Sequence, residues 1–354
     1  MKKNIPVYTA AEAAYVPTAE DFRLKDNADE IVIDTNFVAQ NFWRDVLMRF
    51  VHKASAVIGL ILIVLITVMA ILGPEMNDYT YSGQEISQKN MAPRVKWLEK
   101  FGIFDGTETI STTTGSKTTN LYKDKELDDV YYWFGSDNFG RDIWTRTWSG
   151  ARVSLLIAVA AAVIDMLIGM SYGLISGYFG GRVDMIMQRI LEIANGIPRL
   201  VIVTLMLLVI PPGITTIILA LMLTEWIGMA RISRAEMLKL KEQEFVLASR
   251  TLGAGSFFII FKEVLPNIIG PIITQVMFSI PTAIFTEAFL SFIGLGIPVP
   301  QCSLGSLISD GFNSLTTHPY QIIPPIIVMA LLMLSFNLVA DGLREALDPK
   351  MKEM

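Results

Sequence analysis

The chain alternates long apolar runs with short polar interruptions. Residues 54–73 (ASAVIGLILIVLITVMAILG) and 322–340 (IIPPIIVMALLMLSFNLVA) contain no Asp, Glu, Lys or Arg. Each is about long enough to cross a hydrocarbon layer as a helix. Backbone groups cannot stay unpaired in lipid, so every long apolar stretch reads as a helix. Six follow, at about 54–74, 152–177, 183–210, 213–231, 265–293 and 321–342. The predicted fold class is an all-α membrane protein with six transmembrane helices. The middle four spans carry Asp165, Arg189 with Glu192, Glu225 and Glu287. Charged groups in a span are costly, so these helices are expected to face one another or a polar path.

The distribution of Lys and Arg orients the spans. The loops at 209–214 and 294–320 hold none, whereas 231–262 holds Arg231, Arg234, Lys239, Lys241, Arg250 and Lys262. Arg344, Lys350 and Lys352 follow the last span, and Arg49 and Lys53 flank the first. Both termini are therefore expected in the cytoplasm. Residues 1–53 form a tail in which Phe42, Trp43, Val46, Leu47, Phe50 and Val51 share one helical face, the pattern of a helix lying in the membrane interface. The segment 75–150 is then extracellular, and its Thr-, Ser- and Lys-rich middle predicts a small loop-rich insert with one or two short hairpins. Residues 151–342 form the transmembrane core, and 343–354 a second cytoplasmic tail.

Composition agrees and removes other classes. The chain is 52% hydrophobic and 18% charged, with mean hydropathy +0.47. A net charge of −5 leaves no basic footprint for nucleic acid. Cys302 is the one cysteine, and His52 and His318 stand far apart, so neither a disulfide nor a metal cluster is expected. Gly115-Ser-Lys-Thr118 has the end of a phosphate-binding loop without its first glycine or the glycine before the lysine. No GxSxG elbow is present. The chain is read as non-catalytic, with no cofactor or metal of its own.

The stretch 231–266, RISRAEMLKLKEQEFVLASRTLGAGSFFIIFKEVLP, is the most informative. Helix formers run from about Ser233 to Leu252, Gly253-Ala-Gly255 interrupts, and a second amphipathic run covers Ser256 to Val264. Gly253 stands where a helix ends and glycine takes positive φ cheaply. Pro266 marks the entry of the next span. Two short helices joined by a tight turn, presented at 232–264, can pass a push from a soluble partner into the spans.

This stretch resembles the EAA loop of importer-type ABC transporter permeases: Leu247-Ala248-Ser249, then Gly253, then Val264-Leu265-Pro266. It departs from that pattern in having Leu247 where Glu is usual, with Glu244 one turn earlier, and Ser249 in place of Ala. Phe134-Gly-Ser-Asp-Asn-Phe-Gly-Arg-Asp-Ile143 with Gly150-Ala-Arg-Val-Ser154 resembles the GTDxxGRD…GARxSL signature of the peptide/nickel branch. Ser176–Asp184, Phe285–Gly296 and Phe336–Pro349 are similar to the same branch. From about residue 40 onward the chain resembles the C-type permease of oligopeptide importers. The segment 80–130 is longer than that resemblance implies.

The resemblance implies a type I importer-like fold in a bacterial plasma membrane. It implies a second, B-type permease as partner, two ABC ATPase subunits that bind ATP and Mg, an extracellular peptide-binding lipoprotein, and a peptide substrate. It places ATPase coupling at Glu244, Phe245, Leu247, Ala248, Ser249, Leu252, Gly253, Ala254 and Pro266. Asp165, Glu225 and Glu287 are candidates to line the path, the alternative for each being helix packing. Asp137, Arg141 and Asp142 are candidate contacts for the binding protein, against a helix entry in which Asp137 is the N-cap. Dipeptides or nickel chelates are the alternative cargo. A stand-alone secondary transporter would need inverted repeats, and none is visible. A sensor would need an output domain, and only about a dozen residues follow the last span.

Overall fold

The computed structural model describes residues 42–112 and 115–347. Residues 1–41 of the N-terminal tail and 348–354 of the C-terminal tail lie outside the described residues. The interfacial stretch is helix α1 (Phe42–His52), whose Val46 and Phe50 are buried against Ala56, Val339 and Ala346 while Leu47 and Val51 stay exposed. Five helices are long and apolar enough to span a membrane, within Ala54–Glu75, Ile143–Phe179, Ile214–Leu240, Ser256–Phe292 and Pro319–Leu347. We label them α2 (Ala54–Leu72), α4 (Ile143–Phe179), α7 (Ile214–Leu240), α9 (Ser256–Phe292) and α11 (Ile323–Leu347).

The predicted span 183–210 is not one helix. It is a pair, α5 (Gly181–Gly196) and α6 (Arg199–Leu207), bent by 75°. The break falls at Ile197-Pro198. Pro198 brings no N–H and forces the residue before it out of the helical region, and Ile197 is extended at φ −86°, ψ 121°. Other boundaries also move. α4 begins at Ile143, not 152, because Asp142 caps it. α7 continues past 231 to Leu240, and α9 starts at Ser256 rather than 265. The stretch between spans is therefore 241–255, not 232–264. The expected loop 294–320 contains a helix, α10 (Leu304–Asn313), started by a Ser303–Ser306 capping box.

Small residues set the helix contacts. α2 and α11 run against each other through Gly59 and Gly342, where a Cβ would lie 2.8 Å from the Ser335 carbonyl oxygen and 2.3 Å from Ala56 Cβ. On α4, Gly169, Gly173 and Gly177 form a stripe four residues apart that faces α7. In lipid, close backbone approach supplies the packing that the hydrophobic effect cannot. The two ends of the bundle differ. One carries the 241–255 connection, hereafter the loop end; the other carries the insert and α10.

The insert is more ordered than its composition suggests. It holds one antiparallel hairpin among the described residues, β1 (Thr107–Thr112) with β2 (Gly115–Asn120), followed by a single turn of helix, α3 (Leu121–Asp124). Met91, Tyr122 and Tyr132 make a small core. Tyr122 donates its hydroxyl to the Ala92 carbonyl at 2.8 Å, and Tyr79 stacks on Tyr132. The insert is fastened to the bundle by Trp133 and Phe134, whose rings pack on Trp144 of α4, and by a 2.9 Å contact between His318 Nδ1 and Glu108 Oε2.

Candidate functional site

At the loop end, α8 (Glu244–Thr251) lies between α7 and α9. Val246 is fully buried with Ile259, Ile260 and Val264 of α9. The rest of the helix faces outward. Glu244, Phe245, Leu247 and Ala248 are exposed, Ser249 is half-buried, and Leu252 is 88% exposed. Phe257 and Phe258 continue this apolar surface onto the first turn of α9. The helix ends in a Schellman motif: the Ala254 N–H donates to the Ser249 carbonyl and the Gly253 N–H to the Arg250 carbonyl, with Gly253 at φ +86°. Ala254 packs inward on the core and Pro266 is exposed. A Cβ at Gly253 would meet nothing within 4 Å, so any substitution cost there is conformational alone. Gly253→Ala is expected to cost about 1–2 kcal/mol. Amide exchange at 253–254 should then quicken about 5–30-fold, while Gly253→Asn, which tolerates αL, stays closer to wild type.

Pro266 does not mark the start of a span. The helix runs through it, with a π segment, Ile259–Val264, immediately before and Pro266 in the first turn of the regular α-helix that follows. α8 is anchored laterally as well. The Arg250 guanidinium sits 5.4 Å over the Tyr178 ring at the end of α4. At the same end, Arg234 of α7 donates two 2.6 Å hydrogen bonds to the Asp184 carboxylate of α5, which also accepts from Ser176 of α4. α8 thus touches α9 through Val246 and α4 through Arg250, and the Arg234–Asp184–Ser176 group ties α4, α5 and α7.

The three in-span carboxylates have three different settings. Glu287 is fully buried; it accepts from Ser154 of α4 at 3.2 Å and from Ser291 at 2.7 Å. Ser154 in turn accepts from the Leu304 N–H, so the network joins α4, α9 and the N-terminus of α10. That is a structural position. Glu225 interrupts α7 and forms a 2.7 Å ion pair with Arg199. Arg199 also donates to Thr286 Oγ1 of α9 at 2.8 Å, so one cation holds three helices at the bend after Pro198. Asp165 is buried at the head of a π segment, Asp165–Met170, with Oδ1 unpaired. Arg199 was not among the residues the sequence singled out. The Gly196-Ile-Pro-Arg199 sequence was the available signal.

At the insert end, Asp137, Arg141 and Asp142 are all buried. Asp142, not Asp137, caps α4: it accepts from the Thr145 N–H at 2.8 Å and from Asn77 at 2.9 Å. Asp137 instead closes its own turn, accepting from the N–H groups of Phe139 and Arg141 and pairing with the Arg141 side chain. Arg146, 1% exposed, lies between Asp137 and Asp310 at 3.7 Å from each and donates to the Tyr81 carbonyl. Burial pushes the Asp310 carboxyl up, opposed by Arg146 and Arg141. The cluster shapes this face from within. Arg146→Ala would empty a fully buried site and remove the bond to the Tyr81 carbonyl while Arg141 still pairs Asp137, and is expected to cost about 1–3 kcal/mol, read as a lowered thermal midpoint.

The chain was compared with known proteins. Residues 169–353 match the family described as binding-protein-dependent transport system inner membrane component, and residues 41–93 match the N-terminal TM domain of oligopeptide transport permease C. The chain is 44% identical to an oligopeptide transport system permease protein of Bacillus subtilis, over 88% of this chain and 91% of that one. It is 39% identical to a dipeptide transport system permease protein of the same organism, over 92% and 90% of the two chains. A dipeptide permease of Lactococcus lactis is 41% identical, over 89% and 92%.

Proposed function

The chain belongs to the family of inner membrane components of binding-protein-dependent transport systems, and on that premise we propose that it is one of the two permeases of an ATP-driven oligopeptide importer. It is a multi-pass membrane protein, and its relatives are transport permeases rather than enzymes. A B-type permease completes the path. Two ATPases, which bind the ATP and Mg, engage α8 and the turn at Gly253, and a peptide-binding lipoprotein delivers cargo at the insert end.

The observation that carries this reading is the loop end. An isolated membrane bundle has no reason to hold Phe245, Leu247 and Leu252 in water on a capped, cross-braced helix, with Phe257 of α9 beside them. The same end gathers Arg231, Arg234, Lys239, Lys241 and Arg250, which supports placing it in the cytoplasm. Closure of the ATPases would move α8, and the Arg250–Tyr178 and Arg234–Asp184 contacts would carry that movement to α4, α5 and α7.

A dipeptide substrate is the second reading, favoured by the two dipeptide permeases at 39% and 41% identity. The test is purification of the C-terminally tagged chain from native membranes in mild detergent. A related permease and ATPases should co-purify, and recovery of the chain alone would overturn the proposal. Reconstituted with its binding protein, the complex should take up labelled pentapeptide in preference to dipeptide. The reverse preference selects the second reading.

A further inference from the structure

Within the insert, residues 95–104 (VKWLEKFGIF) form a closed loop. The Val95 N–H donates to the Phe104 carbonyl at 2.9 Å, and Gly102 turns the chain at φ +69°. The loop buries little of what it carries. Trp97, Phe101, Ile103 and Phe104 are 69%, 76%, 54% and 52% exposed. Four large apolar side chains in ten residues, interleaved with exposed Lys96 and Lys100, are costly to leave in water. Phe104 is moreover held at φ +51°, a conformation a bulky residue adopts only when the surroundings impose it.

What adjoins this loop says what covers it. Phe104 is one wall of an apolar cavity of about 380 Å³, completed by Trp133 and Trp148 and by Ile323, Ile327 and Leu331 of α11. Those three belong to a membrane-spanning helix and are themselves 50%, 50% and 37% exposed. The loop's apolar face is therefore continuous with the lipid-facing face of a span, at the level where that span leaves the hydrocarbon. Trp133, Trp144 and Trp148 pack edge to face beside it. Tryptophans beside the end of a span, with exposed Lys96 and Lys100 in the adjoining loop, are the pattern of a membrane–water interface.

We propose that loop 95–104 is a membrane-seated wedge: Trp97, Phe101, Ile103 and Phe104 insert into the phospholipid leaflet at the insert end, and the cavity behind Phe104 takes an acyl chain. The insert is thereby anchored to the bilayer beside α11, and the hairpin it carries, joined to the α10–α11 connection through Glu108 and His318, is held at a fixed height. This does not depend on the nature of the transported cargo.

The test is a depth measurement on the assembled complex in nanodiscs of phosphatidylcholine and phosphatidylglycerol. Cys302 is replaced by Ser, and single cysteines carrying a nitroxide are placed at Phe101 and, separately, at Ile103, with Lys125 on the same insert as the aqueous reference. Membrane seating predicts that labels at 101 and 103 relax with oxygen rather than with a water-soluble nickel reagent, at a depth of about 5–10 Å, while the label at 125 does the reverse. Access to the nickel reagent at 101 and 103 equal to that at 125 would overturn the wedge. Shielding from both reagents would also overturn it, because a protein partner and not lipid would then cover the loop.

Discussion

Gly173→Leu is expected to empty the membrane of this chain. A Cβ at 173 would lie 2.2 Å from the Ala230 carbonyl oxygen and 2.8 Å from the Arg234 nitrogen, both backbone atoms of α7. No side chain can swing aside. α4 and α7 must separate, and the contacts at Gly169 and Gly177 along the same stripe go with them. Overpacking one site costs about 1–3 kcal/mol when neighbours can adjust; here they cannot, and a loss above about 4–5 kcal/mol is expected. Separation would also pull Arg234 from Asp184, the brace next to α8. The measurement is the amount of chain in the membrane and the thermal midpoint of the purified complex, for Gly173→Ala, Gly173→Leu and Gly228→Ala. Gly228 is on the same α7, yet only Gln275 approaches it, at 3.9 Å, so its substitution should be mild. Normal accumulation of the Leu variant would refute close packing as the basis of the α4–α7 contact.

That stripe also shows where sequence reading stops. Hydrophobic runs locate spans because each span is dictated by its own residues and the solvent around them. Ala54–Leu72 and Ile323–Leu347 were legible for that reason. Glycines spaced by four are visible in the string, but which helix they face is a property of two segments some sixty residues apart. The bend at Pro198 is a local rule that apolar content overrode in the reading, so the ion pair of Arg199 with Glu225 went unseen. Asp142 in place of Asp137 as the α4 cap is a five-residue error of the same kind: both acids precede a helix, and only the fold of the turn decides between them. Glu287 is the reverse case. A carboxyl near Ser residues on its own helix was readable as a hydrogen-bonder, and the structure adds Ser154 from α4. The exposed face of α8 was legible in outline, since apolar residues beside a capping glycine have few other uses.

Replacing Phe245, Leu247 and Leu252 together with Ser is expected to abolish transport while leaving the permease assembled. The three side chains are 39%, 45% and 88% exposed, so their removal takes little from the fold. Burying such side chains against a partner contributes about 1.5–3 kcal/mol each when fully desolvated, and a central cluster of this type carries most of an interface. With half of that realised, the triple variant loses about 2–5 kcal/mol, or roughly 30- to several-thousand-fold in ATPase affinity. The sister permease should still co-purify and the thermal midpoint of the membrane part should hold. Val246→Ser separates the two effects. Val246 is fully buried beside Ile259, Ile260 and Val264, so its change undermines the seat of α8 and lowers stability as well as coupling. If the triple variant retains its ATPases at wild-type stoichiometry, α8 is not their docking surface, and the exposed Phe257, Phe258 and Phe261 of α9 become the next surface to change.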